Sequence, residues 1–362
     1  MKMKNQPSKN QDKAAVRKTV RQGIQFLFFL LLMLLTYYTV FRQNHAKDIL
    51  TAVKTMHPLP LLLSVFCAFF FVCAEGFMIW YLLRLTQKNV RLLRCFGYSF
   101  TGFFFSGITP SATGGQPAQL IVMKKDGIAL GDATLTLMTV ALLYKLVLAL
   151  IGTGLLLFWG KGLTVYLGNY IPLYYLGLFL NVLLVVLLLL LMFHGAWMEK
   201  LLFTMEKAGT LLGIWKPSEK RKASFRRITA EYQDTFRFFL SHKSKILFVT
   251  FCTFLQRCSL FVLTYLIYRG MGLTGYHALT VILLQASIYI AVDMLPLPGS
   301  QGISELMYHT VFAPVFTGGT LAASMCITRG ISFYLPLIAG AVITLPTFAK
   351  RKKIHGSPPL PQ

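Results

Sequence analysis

Two stretches of this 362-residue chain interrupt hydrophobic sequence with residues that could hold an anion. The first, "TPSATGGQPAQLIVMKKDGI", runs from Thr109 to Ile128. It gathers Thr109, Pro110, Ser111, Thr113, Gly114, Gly115 and Gln116 ahead of a helix-like segment. Proline removes a backbone donor and glycine loosens a helix, so the helical run must break here. Ser and Thr suit helix starts and Pro117 suits a first turn. A half-helix beginning at this point would aim backbone N–H groups and a positive dipole end at the tip, which suits a phosphate. The competing reading is a tight connector whose glycines let helices pack. This stretch alone weighs the two about evenly.

The second stretch, "PLPGSQGISELMYH", supplies Pro296, Pro298, Gly299, Ser300, Gln301, Gly302, Ser304 and Glu305. A carboxylate near a helix N-terminus is ordinary dipole compensation. Glu305 stands out because it lies deep in apolar sequence, where an acid is costly unless paired or functional. Three bases also lie inside apolar runs: Lys145 in "VALLYKLVLAL", Arg257 in "FLQRCSLF" and Arg329 in "CITRGISFYLP". Lys145 and Arg329 are midway along their runs, so their charges are expected to face a bundle interior or aqueous cavity. Arg257 is placed for snorkelling to an interface. Asp293, in "YIAVDMLP", is read as the only other acid at depth and as a partner for one of these bases.

No catalytic set emerges. His194, His242, His277 and His309 are scattered at loop or helix-end positions, which argues against a metal cluster. There is no G-x-S-x-G, P-loop or H-E-x-x-H. No cofactor is expected. The six cysteines all sit in or beside apolar segments without a C-x-x-C spacing and read as small buried hydrophobes.

The elements that must position these residues are membrane helices. The chain is 55% hydrophobic and only 13% charged, unlike a soluble domain of this length. Apolar runs fall at about 24–41, 59–83, 95–109, 133–159, 173–193, 244–268, 276–296 and 319–348, several longer than the ~18 residues that suggest a spanning helix. The net charge of +24 would suggest nucleic acid in a soluble protein. Here it lies in the arm, loops and tail, where cytoplasmic positive charge and anionic lipid account for it, and no nucleic-acid partner is expected.

Placing Lys and Arg on the cytoplasmic side gives a topology. Residues 1–22 form a basic cytoplasmic arm, 23–348 a single transmembrane domain and 349–362 a basic cytoplasmic tail. The apolar run after the arm has no cleavage-site pattern and reads as an uncleaved helix. Residues 195–243 form a basic, amphipathic cytoplasmic loop. Lysines on both sides of the first break make residues 95–123 a hairpin entering and leaving on the inner face. The second break, within 276–317, must begin and end outside. The predicted fold is an all-α polytopic cell-membrane protein with both termini cytoplasmic. It has about six full crossings plus two oppositely oriented re-entrant Pro/Gly-broken hairpins, the pattern of an inverted repeat with a site near the midplane.

With these residues in view, the chain resembles the lysylphosphatidylglycerol synthase transmembrane, flippase-like family. "TPSATGGQPAQLIVMKKDGI" is similar to that family's Pro-x-x-x-Gly-Gly segment with its following helix and Gly turn. "PLPGSQGISE" is similar to its second Pro-Gly-x-x-Gly-x-x-Glu segment, and Arg329 in "TRGISFYLPLIAG" fits the last long helix. Ser300 and Gln116 depart from the pattern. In the multiple peptide resistance factors this module carries aminoacylated phosphatidylglycerol across the membrane, and a separate soluble domain attaches lysine. The chain stops soon after its last apolar run, so that domain is expected to be absent.

The resemblance implies a lipid translocase whose headgroup site draws on Thr109, Pro110, Gly114, Gly115, Gln116, Lys145, Asp293, Pro298, Gly299, Gly302, Glu305 and Arg329, with an anionic phospholipid as partner. Two alternatives stand beside it. One is a phosphatidylglycerol lysyltransferase using lysyl-tRNA, alone or with a partner synthase. The other is a membrane subunit, as a homo-oligomer or scaffold.

Overall fold

The computed structural model describes residues 46–86, 90–109, 112–193, 240–295, 298–300, 302–316 and 319–349, with isolated positions between 197 and 237. The predicted first crossing at 24–41, Pro110, most of the 195–243 loop and the tail lie outside the described residues. The chain divides into two compact units, Met1–Leu50 and Thr51–Gln362. Everything below concerns the second, save the start of the first helix.

The described residues form helices and turns and no strands. In order the helices are α1 (Ala46–Thr55), α2 (Pro58–Leu85), α3 (Leu92–Ile108), α4 (Gly115–Lys125), α5 (Leu130–Leu167), α6 (Ile171–Phe193), α7 (Lys243–Gly270), α8 (Ala278–Val292), α9 (Ile303–Phe312), α10 (Thr320–Arg329) and α11 (Leu335–Ala349). A π-turn, Gly330–Tyr334, joins α10 to α11.

Among the described residues, four stretches are long and apolar enough to cross a membrane: Pro58–Leu85, Leu130–Phe193, Lys243–Gly270 and Thr320–Pro346. The 64 residues of Leu130–Phe193 far exceed the ~20 that one pass needs. They kink at Trp159 and fold back through a 3-10 turn at Gly168–Tyr170, so that α5 packs against α6. The sequence-predicted run at 133–159 therefore stops at a real break in the helix.

The two interrupted segments share a plan. At the first, the 17-residue α3 leads into a break and returns as the 11-residue α4, packed against it. At the second, the 15-residue α8 leads into the break around the Pro298–Ser300 turn and is followed by the 10-residue α9. None of these helices has the ~20 residues that a single pass requires. The described residues hold two non-glycine residues with positive φ, Ala112 (54°) and Ser300 (53°), one at each break.

Small residues bring the helices close, as bilayer packing favours. A Cβ on Gly76 would come within 2.9 Å of the Cys95 carbonyl on α3, and one on Gly177 within 2.3 Å of the Ile290 carbonyl on α8. Hydrogen bonds reinforce the contacts: Gln256 Nε2 donates to the Phe71 carbonyl at 2.7 Å, Ser99 Oγ to the Val72 carbonyl at 2.6 Å, and Tyr174 Oη to the Gly152 carbonyl at 2.8 Å. Met78, Leu82, Cys95, Met123, Leu135 and Val249 belong to the apolar core these elements share. The six cysteines are free thiols, with Cys95 alone fully buried.

Candidate functional site

The first break is organised by Thr109. Its Oγ1 donates to the Phe105 carbonyl (2.7 Å) and accepts the Gly114 N–H (2.9 Å), so one side chain bridges the end of α3 and the start of α4. Gly114 N–H is thereby committed within the protein. Gly115 faces α3: a Cβ there would lie 2.0 Å from Ser106 Oγ and 2.8 Å from the Gly102 carbonyl. Its small size lets the hairpin close. At the other end, Asp126 accepts from Tyr98 Oη (2.6 Å) and pairs with Arg94 (2.9 Å), pinning the hairpin shut. Gln116 is exposed. The buried amide is Gln119, three residues on, whose Nε2 donates to Glu75 Oε1 on α2 at 2.7 Å.

The second break is clamped by Arg329. Its Nε donates to Glu305 Oε1 (2.7 Å), and its Nη2 to the Gly299 carbonyl (2.9 Å) and Ser304 Oγ (2.6 Å). Glu305 Oε2 accepts the Gly302 N–H at 2.7 Å and Ser304 Oγ at 2.8 Å. Helix-start compensation and a buried ion pair, rival readings of Glu305 from sequence, are thus both present. Gly302 has φ 86° and Gly299 φ 57°, conformations that favour glycine. Pro298 opens the short turn, and Ser300 Oγ ties it back to the Val292 carbonyl of α8 at 2.9 Å.

The breaks meet. Residues of α3 contact the Pro298–Ser300 turn, and Phe333 of the π-turn lies between them. A Cβ on Gly299 would come within 2.6 Å of the Phe333 ring, and one on Gly107, near the end of α3, within 3.4 Å. The Arg329 guanidinium carbon lies 5.5 Å from the centre of the same ring.

A second cluster sits beside the first. Lys145 Nζ forms an ion pair with Asp293, and Tyr144 Oη also donates to Asp293. Tyr289 feels the charges of Arg257, Asp293 and Arg329, so it lies near both clusters. Arg257 departs from its sequence reading. It does not snorkel; it is 2% exposed, with its guanidinium carbon 3.9 Å from the centre of the Tyr144 ring and 4.3 Å from that of Phe71. Asp293 is also not the only other acid at depth. Glu75, near the middle of α2, is a third, and it feels the Arg257 charge. Its signal was visible as an acid centred in the apolar run 59–83, and Gln119 could have been found only by knowing how α4 docks.

The structure thus gathers Gly299, Gly302, Glu305 and Arg329 at one point, Lys145 and Asp293 at another, and Thr109 with Gly114 at the first tip. Gln116 is exposed in the first turn of α4, two residues after Gly114.

This arrangement defines a multi-pass helical membrane protein with two interrupted helical segments beside buried charges. The family model described as the lysylphosphatidylglycerol synthase TM region matches residues 23–340, and the chain belongs to that family. Comparison with curated proteins gives no match.

Proposed function

We propose that this chain binds a phospholipid headgroup between its two broken hairpins and carries it across the cell membrane by alternating access. The observation that carries this reading is the meeting of the two breaks at Gly107, Phe333 and Gly299, beside a guanidinium held on Glu305. Irregular backbone is tolerated at membrane depth where it is buried in protein or lines a cavity, and transporters place substrate sites at such broken helices. α3–α4 and α8–α9 are read as re-entrant from opposite faces, with both termini inside. The headgroup phosphate engages the accessible part of Arg329, whose side chain is 21% exposed while Nε and Nη2 hold the tip. Lys145 and Asp293 form the adjoining wall. The lipid is of the phosphatidylglycerol or aminoacyl-phosphatidylglycerol type that the family description suggests.

Purified protein reconstituted in vesicles with a headgroup-tagged fluorescent phospholipid tests this. Protein-dependent access of inner-leaflet probe to an impermeant quencher is expected, and it should fall in Arg329→Ala. No acceleration over empty vesicles, with no lipid co-purifying, would overturn the reading. The family description favours one rival, lysyl transfer from lysyl-tRNA to phosphatidylglycerol. Labelled lysyl-lipid made by the purified chain, without accelerated exchange, would decide for that rival.

A further inference from the structure

Arg257 and Glu75 are the two deep charges that the paired core leaves over. Lys145 is matched by Asp293 and Arg329 by Glu305. Among the described residues Arg257 has no carboxylate within 4.0 Å, and its buried Nε and Nη1 have no hydrogen-bond partner. Aromatic ring centres lie 3.9 and 4.3 Å from its guanidinium carbon, and the enclosed Nε and Nη1 are the donors left unmet. A guanidinium is charged at any physiological pH, and leaving its donors unmet in a buried site is costly. Glu75 stands one helical turn from Phe71, on the same face of α2, and is only partly buried. Gln119 occupies its Oε1, and Arg257 is within its electrostatic reach. A base and an acid on two packed helices therefore attract each other without touching.

We propose that Arg257 and Glu75 form an inner headgroup subsite, occupied after the Arg329 contact, for a zwitterionic phosphodiester, with the phosphate on the unpartnered Arg257 Nε and Nη1 and a single primary ammonium on Glu75. The inference rests on the lipid-carrying function proposed above and puts a zwitterionic headgroup in place of the phosphatidylglycerol or lysyl type named there. Charge balance supports the class. Among the described residues the acids around this core are Glu75, Asp293 and Glu305 and the bases Lys145, Arg257 and Arg329, so that set is neutral when all are ionised, while Asp132, also buried, stands apart in the first turn of α5. A headgroup carrying one phosphate and one amine adds no net charge there. Phosphatidylglycerol would add an uncompensated negative charge, and a headgroup with two amines a positive one. Burying either is expensive. Arginine supplies the planar donor edge that a phosphate matches.

Ethanolamine phospholipid and alanyl-phosphatidylglycerol share this chemistry. The test equilibrates detergent-purified protein with an equimolar mixture of phosphatidylethanolamine, alanyl-phosphatidylglycerol, phosphatidylglycerol and lysyl-phosphatidylglycerol of identical acyl chains. Tightly held lipid is then quantified by mass spectrometry. One of the two zwitterionic lipids should be enriched about tenfold over phosphatidylglycerol, a difference of 1.4 kcal/mol, and their ratio identifies the source. Glu75→Gln keeps an oxygen for Gln119 and removes only the charge, so it should fold normally and shift the preference towards phosphatidylglycerol. Arg257→Lys should lower retention of all four. Wild-type preference for phosphatidylglycerol or the lysyl lipid, or an unchanged ratio in Glu75→Gln, overturns the subsite while leaving the lipid-carrying function standing. Retention of no phospholipid by the wild type overturns both.

Discussion

Arg329 shows how much one side chain can organise. Its two donating nitrogens reach three acceptors on both sides of the Pro298–Gly302 break, and Glu305 has both oxygens filled in return. Removing one member of a buried pair typically costs about 3–5 kcal/mol, because the other charge is left uncompensated. Arg329→Ala should therefore lower unfolding stability in detergent by roughly that amount. Arg329→Lys should lose less, retaining charge without the forked geometry. Arg329→Ala combined with Glu305→Ala should be milder than the sum of the two single changes, since neither charge is then stranded. Additive losses would show that the pair is not coupled. Each member of this pair was legible in sequence, being conspicuous in apolar surroundings, but the pairing was not, because Asp293 was an equal candidate for Arg329. Arg257 was visible but misplaced: position along an apolar run gives depth in a helix, not which neighbour covers it. Glu75 was visible too and passed over among the aromatic residues of α2.

At the scale of elements, the two breaks are held in place by different means. The first relies on close approach, with Gly115 against Ser106 and Gly102 and with Thr109 bridging the gap. Gly115→Val should force α3 and α4 apart and destabilise the protein by about 1–3 kcal/mol, as overpacking does. Thermal unfolding followed by circular dichroism in detergent would measure it, and a wild-type midpoint would refute the packing role. The second break relies on Phe333, which is buried beside Gly107 and Gly299. Phe333→Ala should cost about 3–5 kcal/mol in the same assay, while Phe333→Leu should recover much of the loss.

Ala112 points the opposite way. Left-handed backbone costs a non-glycine residue about 1–2 kcal/mol, offset in part by the extra freedom glycine has when unfolded. Ala112→Gly should therefore raise stability by up to about 1 kcal/mol. The Pro and Gly residues announced both breaks in the sequence. The π-turn, the kink at Trp159 and the role of Phe333 were not legible, because they arise from contacts between distant helices rather than from local preference.

Over the whole molecule, charge placement makes the strongest statement about orientation. The 195–243 loop carries a dense excess of Lys and Arg, and the chain ends on a further basic run at Lys350–Lys353. Both should lie on the cytoplasmic side. Single cysteines at Lys216 or Ser218, in a cysteine-free background, should resist an impermeant thiol reagent in intact cells and react after permeabilisation. Ready labelling of intact cells would reverse the orientation of both hairpins. The helical membrane class was legible because it follows from apolar runs and Lys/Arg placement. The composition of the polar core was only partly so, because it takes residues from α2, α4, α5, α7, α8, α9 and α10.

The Lys145–Asp293 pair also bears on how the chain is made. The two residues are 148 positions apart. At ribosomal speeds of about 5–20 residues per second, that interval lasts about 7–30 s. Throughout it, α5 must enter the membrane with a lysine whose partner has not been synthesised, against an insertion penalty of about 2.5–3.5 kcal/mol at mid-bilayer. Arg329 meets no such delay, since Glu305 precedes it by 24 residues. Lys145→Met should remove that penalty and raise the yield of membrane-inserted nascent chains truncated before Asp293, even though the finished protein would lose an ion pair.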